Sequence, residues 1–204
     1  RLGNETLHGL LDVVARHSID CSPEPTGALD VAVAPWQTES LAKSAVVHEA
    51  HGRHVTLQDA AATRAEVDSP TYLGGLWHHD GVVMLDPARL AWGLLRVAKS
   101  LGVRFFENTP ARSIEAVQGT ESTTVRIRTD GGSVGARNAV VATNAFRPQV
   151  RRIRRFVVRV YDHVLVTEPL TGNRLATIGW SNRQGLSDVG NQFHYYRLTP
   201  DDRI

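Results

Sequence analysis

Residues 82–117 read VVMLDPARLAWGLLRVAKSLGVRFFENTPARSIEAV, and this stretch decides the class of fold. Asp86 followed by Pro87 predicts a helix start, because Asp caps free amides of the first turn and Pro lacks an amide there. Apolar residues then recur at helical spacing until Gly102 ends the helix. Residues 103–107, VRFFE, follow at once and predict a strand.

The residues that follow predict a small sheet and a buried strand. Short strands are expected at 111–117, 124–129 and 133–136, and Asp130-Gly131-Gly132 supplies the turn between the last two. The run 139–143, AVVAT, is apolar without alternation, which is typical of a parallel strand covered on both faces.

The rest of the chain alternates between helical and strand-like patterns. Three helices are predicted, at 4–17, 38–51 (capped by Thr38) and 59–67. Four strands are predicted, at 28–34, 73–77, 82–85 and 193–198, the middle two forming a hairpin over Asp80-Gly81.

Composition indicates a globular protein without a general affinity for nucleic acid. Of 204 residues, 42% are hydrophobic and 22% are charged, and the net charge is only +2. The single Cys21 excludes an internal disulfide and a Cys-rich zinc module, and it favours the reduced cytoplasm as the location. The sequence has no apolar run of about 18 residues, so no membrane span is predicted.

The sequence Gly131-Gly132-Ser133-Val134-Gly135 matches the G-x-S-x-G pattern of a serine nucleophile. That pattern needs a strand before the serine and a helix after it. Here a turn precedes Ser133 and strand-like residues follow, so a hairpin turn is the better interpretation and no hydrolase is predicted.

Histidines cluster in two places without the spacing of a metal site. His48, His51 and His54 recur every three residues, whereas zinc-binding helices of the H-E-x-x-H type need a spacing of four. His78 and His79 lie in the predicted hairpin. Exposed positions are the better interpretation of all five, and we predict no metal.

A basic stretch has two interpretations, a solvated connecting segment or a docking patch for an acidic partner. Its six arginines are Arg147, Arg151, Arg152, Arg154, Arg155 and Arg159. Neither G-x-G-x-x-G nor G-x-x-x-x-G-K-[ST] occurs in the chain, so its residues predict no site for a nucleotide phosphate.

The order of these elements resembles a known family. Residues 82–117, the hairpin TTVRIRTDGGSVGA (123–136) and RNAVVATNAF (137–146) together resemble FAD-dependent oxidoreductases of the D-amino acid oxidase and glycine oxidase family. VYDHVLVTEPL (160–170) resembles the family strand that ends in TEPL. The tail GWSNRQGLSDVGNQFHYYRLTPDDRI (179–204) resembles the γ-glutamylputrescine oxidase branch.

The resemblance implies a mixed α/β (α+β) fold, a partial FAD-binding Rossmann-like domain plus an antiparallel-sheet substrate domain. Residues 1–26 and 86–150 would belong to the FAD domain, and 27–85 and 151–204 to the substrate domain. Because the family's G-x-G-x-x-G would lie upstream of Arg1, we expect an internal fragment lacking both ends. Such a fragment should be inactive alone and should show exposed sheet edges.

The resemblance also implies site residues. Backbone at Ala111, and the small residues of the turn at Thr143, Asn144 and Ala145, would lie against FAD. The family places a substrate tyrosine near the position of Tyr195. Because period-2 alternation puts Tyr195 and Tyr196 on opposite faces, only one can face the substrate, and we choose Tyr195. Two further substrate-binding candidates are Trp180 and His163; no catalytic residue is predicted.

The implied function is oxidation of a C–N bond of a small-molecule amine or amino acid by hydride transfer to FAD. The alternative is a non-catalytic fragment or interaction module that uses the Arg147–Arg159 stretch. The substrate, the electron acceptor and the oligomeric state stay open.

Overall fold

The structure is a computed structural model, and it describes residues 2–117, 124–144, 146, 152 and 155–204. The chain divides into two compact units, Arg1–Leu101 with Leu165–Ile204, and Gly102–Val164. The helices are α1 (Leu2–Arg16), α2 (Pro35–Ala50), α3 (Ala60–Glu66), α4 (Pro87–Ser100) and α5 (Gly172–Ile178). The strands are β1 (Ala28–Ala32), β2 (Val55–Asp59), β3 (Gly74–His78), β4 (Ser113–Ala116), β5 (Val125–Thr129), β6 (Gly132–Ala136), β7 (Gly185–Asp188) and β8 (Tyr195–Tyr196). The mixed α/β class is as predicted.

The first unit is built on a five-stranded mixed sheet in the order β2-β3-β1-β7-β8. β3 is antiparallel to both β1 and β2, whereas β1 and β7 are parallel. Successive side chains of β1 point to opposite faces, so Leu29 and Val31 enter one core cluster with Trp180. Leu41 and Ala45 of α2 cover the other face of the sheet.

The predicted start of α4 is confirmed. The Asp86 carboxylate accepts hydrogen bonds from the amides of Ala88 and Arg89, at 2.9 and 3.0 Å. Gly102 follows the helix with a φ of 87°, in the left-handed region that favours glycine. The predicted apolar face of α4 is only partly covered, since Gly93 is its one buried residue and Leu101 stays 72% exposed.

The predicted start of α2 at Thr38 is wrong by three residues. The helix begins at Pro35, and the buried Gln37 side chain supplies the cap. Its Oε1 atom accepts hydrogen bonds from the amides of Val33 and Ala34, at 2.6 and 3.0 Å. Gln37, at the third position of the helix, thus binds the amide of the N-cap residue Ala34, and no short polar side chain before the helix accepts from the first-turn amides.

The predicted hairpin of 73–77 with 82–85 is wrong. β3 pairs instead with β2, a strand that the sequence patterns did not indicate, and with β1. Met84 forms an isolated bridge with Glu24. Gly74 and Gly75 are buried in β3, where a Cβ on Gly75 would lie within 3.0 Å of both Leu29 and Thr63. Tertiary packing therefore decides this pairing.

The second unit contains an antiparallel sheet in the order β4-β5-β6, as predicted. Ser133 lies in β6 opposite Arg128, which confirms the turn and strand interpretation. The runs 103–107 and 139–143 are not strands, so these two predictions are wrong. A strand needs a neighbour to hydrogen-bond its backbone, and Val140 is 90% exposed. Within the described ranges, no helix is long and apolar enough to cross a bilayer.

Candidate substrate and cofactor residues

An aromatic cluster lies where β8 meets the core of the first unit. The hydroxyl of half-buried Tyr196 hydrogen-bonds to that of Tyr72. The Trp180 ring meets the Tyr196 ring edge-on, with 5.9 Å between centroids, and its indole N–H donates to the Gln184 carbonyl at 3.0 Å. Edge-to-face contacts and a satisfied indole N–H fix these rings in place.

Both phenols of the cluster stay protonated at neutral pH. Burial raises the pKa of Tyr196, and its hydrogen bond with Tyr72 raises it further. Burial also raises the pKa of Tyr72, although the hydrogen bond with Tyr196 acts in the opposite direction. The pair can therefore offer a neutral hydroxyl donor but no phenolate base.

A cavity of about 360 Å³ lies beside α5, and Trp180, Leu175 and Arg183 are among its walls. The Arg183 guanidinium is 2.7 Å from an Asp202 carboxylate oxygen and also donates to the Thr199 carbonyl. The charge of Arg183 is thus already neutralised. The cavity is suited to the apolar part of a small molecule.

The three predicted substrate residues do not form one cluster. Tyr195 is 59% exposed and contacts Phe193, with ring centroids 5.7 Å apart, on the opposite face of β8 from Tyr196. Trp180 belongs with Tyr196, and His163 is an exposed residue of the second unit. Their roles in substrate binding stay predictions.

Sequence reasoning placed Tyr196 on the other face from Tyr195 but did not select it. Side chains alternate between the two faces along 193–198, and this alternation was the sequence signal that could have indicated the contact of Tyr196 with Trp180. No local pattern indicates Tyr72, because its partner is 124 positions away in the chain.

The predicted cofactor residues lie in the second unit. Ala111 is half-buried and directly precedes Arg112, whose amide donates to the Arg128 carbonyl at 2.7 Å. Thr143 is half-buried, and Asn144 has a φ of 45°, so the chain turns sharply after the exposed run 139–142. The Phe146 amide closes this turn on the Thr143 carbonyl at 2.9 Å. Ala145 lies outside the described residues.

The groups at Ala111, Thr143 and Asn144 fit the nucleoside portion of FAD better than its pyrophosphate. Backbone amides, carbonyls and the exposed Asn144 amide match the neutral donors and acceptors of an adenine or ribose. A pyrophosphate needs a glycine-rich helix start or cationic side chains, and the sequence contains no such glycine-rich motif. Ala111, Thr143 and Asn144 therefore fit the nucleoside portion only.

Two other features of the sequence are the histidine clusters and the basic stretch. In the described part of the chain, no group of three His, Cys, Asp or Glu side chains is arranged to hold a metal. Arg152, Arg155 and Arg159 are exposed, and Arg147, Arg151 and Arg154 lie outside the described residues. The docking patch stays a prediction.

Comparison with known proteins gives two curated relatives. Gamma-glutamylputrescine oxidoreductase of Escherichia coli is 29% identical over 197 residues, which cover 94% of this chain and 44% of that protein. Probable oxidoreductase OrdL of Haemophilus influenzae is 26% identical over 157 residues, which cover 74% and 35%. The chain therefore spans less than half the length of either relative.

Solved structures share the fold. Glycine oxidase from Geobacillus kaustophilus superposes with a TM-score of 0.72 at 15% identity, over 99% of this chain and 52% of that one. L-proline dehydrogenase from P. horikoshii gives 0.70 at 14% identity, over 96% and 52%. These likenesses define the fold class, a mixed α/β fold. The sequence profile of the DAO family, described as FAD dependent oxidoreductase, matches residues 1–204, and the chain belongs to this family. Its cofactor is FAD.

Proposed function

We propose that this chain takes part in the FAD-dependent oxidation of a C–N bond in a small amine or amino acid. The family match over the whole chain supports an oxidoreductase. The names of the similar proteins, gamma-glutamylputrescine oxidoreductase, glycine oxidase and L-proline dehydrogenase, all denote amine or amino-acid substrates.

The aromatic cluster beside the 360 Å³ cavity is the observation that carries the proposal. Trp180 and Leu175 offer apolar surface to the aliphatic part of a substrate, and the neutral phenols of Tyr72 and Tyr196 hold the Trp180 ring in place. Tyr195 lies on the opposite, exposed face of β8, so its proposed hydroxyl contact is separate from this cavity. The single free Cys21, which is buried, supports a cytoplasmic location.

The second unit would hold the nucleoside portion of the cofactor. Backbone groups at Ala111, with Thr143, Asn144 and Ala145, are the proposed contacts. Bound FAD supplies the two-electron acceptor for the oxidation. The substrate nitrogen must be unprotonated to release its electrons, so the rate of flavin reduction should rise with pH.

The test is anaerobic mixing of the FAD-loaded protein with primary and secondary amines, including glycine, L-proline and γ-glutamylputrescine. The visible flavin band should bleach with at least one of them. Flavin that stays oxidised with all of them would refute the proposal. A purified intact protein without flavin that binds an acidic partner in a salt-sensitive manner would favour the interaction module instead.

Matched variants test the substrate residues. Trp180→Phe should raise the KM for the preferred amine by about tenfold, the effect of losing roughly 1.4 kcal/mol of contact. Trp36→Phe is the control, because Trp36 lies on the exposed side of α2 and is 61% exposed. If the two substitutions change the KM equally, Trp180 does not contact the substrate.

A further inference from the structure

The five histidines singled out in the sequence include two ring pairs in the first unit. The His48 and His78 rings meet edge-on, with centroids 4.8 Å apart. The His54 and His79 rings stack, with centroids 4.5 Å apart. His51, the fifth, is exposed and contacts the Val47 carbonyl through Nδ1 at 2.8 Å.

The two ring pairs lie on opposite faces of the sheet. His78 ends β3 and His79 follows it, so their side chains point to opposite faces. Val55 is the register partner of His78, and the His79 amide donates to the His54 carbonyl at 3.1 Å. The His48–His78 pair therefore joins α2 to β3, and the His54–His79 pair joins the connection 51–54, which leads from α2 to β2, to the end of β3.

Charged groups near the two pairs differ. On the α2 face, Asp30 of β1 lies 3.2 Å from His78 Nε2 and accepts a hydrogen bond from Ser187 of β7 at 2.5 Å. The His48–His78 pair therefore has a carboxylate in direct contact with one of its rings. Burial raises the pKa of Asp30, but the hydrogen bonds from His78 and Ser187 and the nearby imidazoles lower it below its ordinary value overall.

On the opposite face, His79 contacts the Thr56 hydroxyl at 2.8 Å and the Trp77 ring at 4.6 Å. The nearest acidic side chain is Asp80, which forms an ion pair with Arg53 at 3.6 Å, and Glu66 acts from farther away. Among the described residues, none places a carboxylate in hydrogen-bond contact with His54 or His79. Two protons on this pair would therefore repel without compensation.

We propose that the stacked His54–His79 pair forms an acid-sensitive clip, which fastens the connection 51–54 to β3 near neutral pH and releases it on acidification. Imidazole is the side chain whose charge changes in this range. Burial, and then the neighbouring His54, lower the pKa of His79 from its ordinary value of 6.5. The unfolded chain thus takes up this proton more readily, so the stabilisation is complete above pH 6.5 and is lost as the pH falls below it.

The test is hydrogen–deuterium exchange of the intact protein at about pH 7.5 and about pH 5.5, corrected for intrinsic exchange rates. Opening of the 51–59 peptide should increase measurably at the lower pH, because the folded state favours the neutral form of His79. Opening of β1 (Ala28–Ala32) should change much less, which separates the local effect from global unfolding.

Two variants, His54→Gln and His79→Gln, each replace one imidazole ring of the stacked pair. In each, the acid-induced increase should be clearly smaller than in the wild-type protein, because one member of the stacked pair is gone. His8→Gln, at an exposed position of α1, is the matched control and should keep the wild-type increase. The proposal is overturned if either folded variant keeps the full increase, or if β1 opens as much as 51–59.

Discussion

Replacement of Gly93 by Ala should destabilise the first unit, although the same change helps most helices. Gly93 lies inside α4, where Ala is better than Gly by about 1 kcal/mol. A Cβ at this position would lie 2.2 Å from Cγ2 of Ile19 and 3.2 Å from its Cβ. Ile19 is only 4% exposed, so its packed neighbours oppose a shift of its side chain.

The magnitude follows from these opposing contributions. Forcing a methyl group into a packed site costs about 1–3 kcal/mol, and an approach this close belongs at the upper end. After the helix gain is subtracted, Gly93→Ala should lower the free energy of unfolding by about 2 kcal/mol. With a urea m-value of about 2 kcal/mol/M, the midpoint should fall by about 1 M.

Gly9 supplies the matched control, because it lies inside α1 and a methyl group added there would have nothing within 4 Å. Gly9→Ala should therefore stabilise by about 1 kcal/mol. Urea titrations followed by circular dichroism compare the two variants. Ile19→Ala, alone and with Gly93→Ala, completes a double-mutant cycle, and the coupling should be about 1–2 kcal/mol in favour of the double variant. The packing argument is refuted if Gly93→Ala stabilises as Gly9→Ala does, or if the two changes simply add.

Three further predictions follow from single side chains. Asp86→Ala should lower the free energy of unfolding by about 1 kcal/mol through loss of the α4 cap, whereas Asp86→Asn should retain most of it, as measured by urea titration. Cys21 is fully buried, and burial together with Asp20 raises the pKa of its thiol. Because reaction with a thiol reagent requires local opening, Cys21 of the folded protein should react at least about a hundredfold more slowly than Cys21 of the protein unfolded in urea. Because the folded-state pKa of Asp30 is lowered, its stabilisation should be present above about pH 4 and lost below it, and Asp30→Asn should flatten this part of the acid denaturation curve.

Each of these has an outcome that contradicts it. If Asp86→Ala is as stable as the wild-type protein, the cap hydrogen bonds of Asp86 do not stabilise α4. Rapid labelling of folded Cys21 would show that the site opens readily. If Asp30→Asn leaves the acid denaturation curve unchanged, the loss of stability at low pH comes from other carboxylates.

Elements with strong local signals could be predicted from the sequence. α4 is the clearest, because Asp86, Pro87 and Gly102 mark both of its ends and act within one helical turn. The sheet β4-β5-β6 is similar, since tight turns and alternation specify antiparallel neighbours. The FAD family was also recognisable, since it rests on the order of such elements.

Pairings between distant segments could not be predicted in the same way. β3 pairs with β1 and β2 because buried Gly74 and Gly75 fit beneath neighbouring elements, a property that no local pattern reveals. The runs 103–107 and 139–143 have strand composition but no strand neighbour in the described ranges. β propensity reflects how well a side chain fits against a partner surface. Composition alone therefore predicts more strands than form.

The candidate site was predictable only in part. Alternation correctly separated Tyr195 from Tyr196, but the contact of Tyr196 with Tyr72 and Trp180 depends on packing between segments far apart in sequence. The histidine pairs show the same limit, since spacing along α2 describes one helix and says nothing about a ring on β3.

The parallel pairing of β1 with β7 has a consequence for synthesis on the ribosome. Asp30 and Ser187, which face each other across these strands, are 157 positions apart. At about 5–20 residues per second, β1 waits roughly 8–30 s after its own translation before β7 is made. During that time β2, β3 and β1 can already pair, and one edge of β1 stays open to other nascent chains. Slow translation of the intervening segment would lengthen this exposure, so the codons between the two strands influence the yield of folded protein.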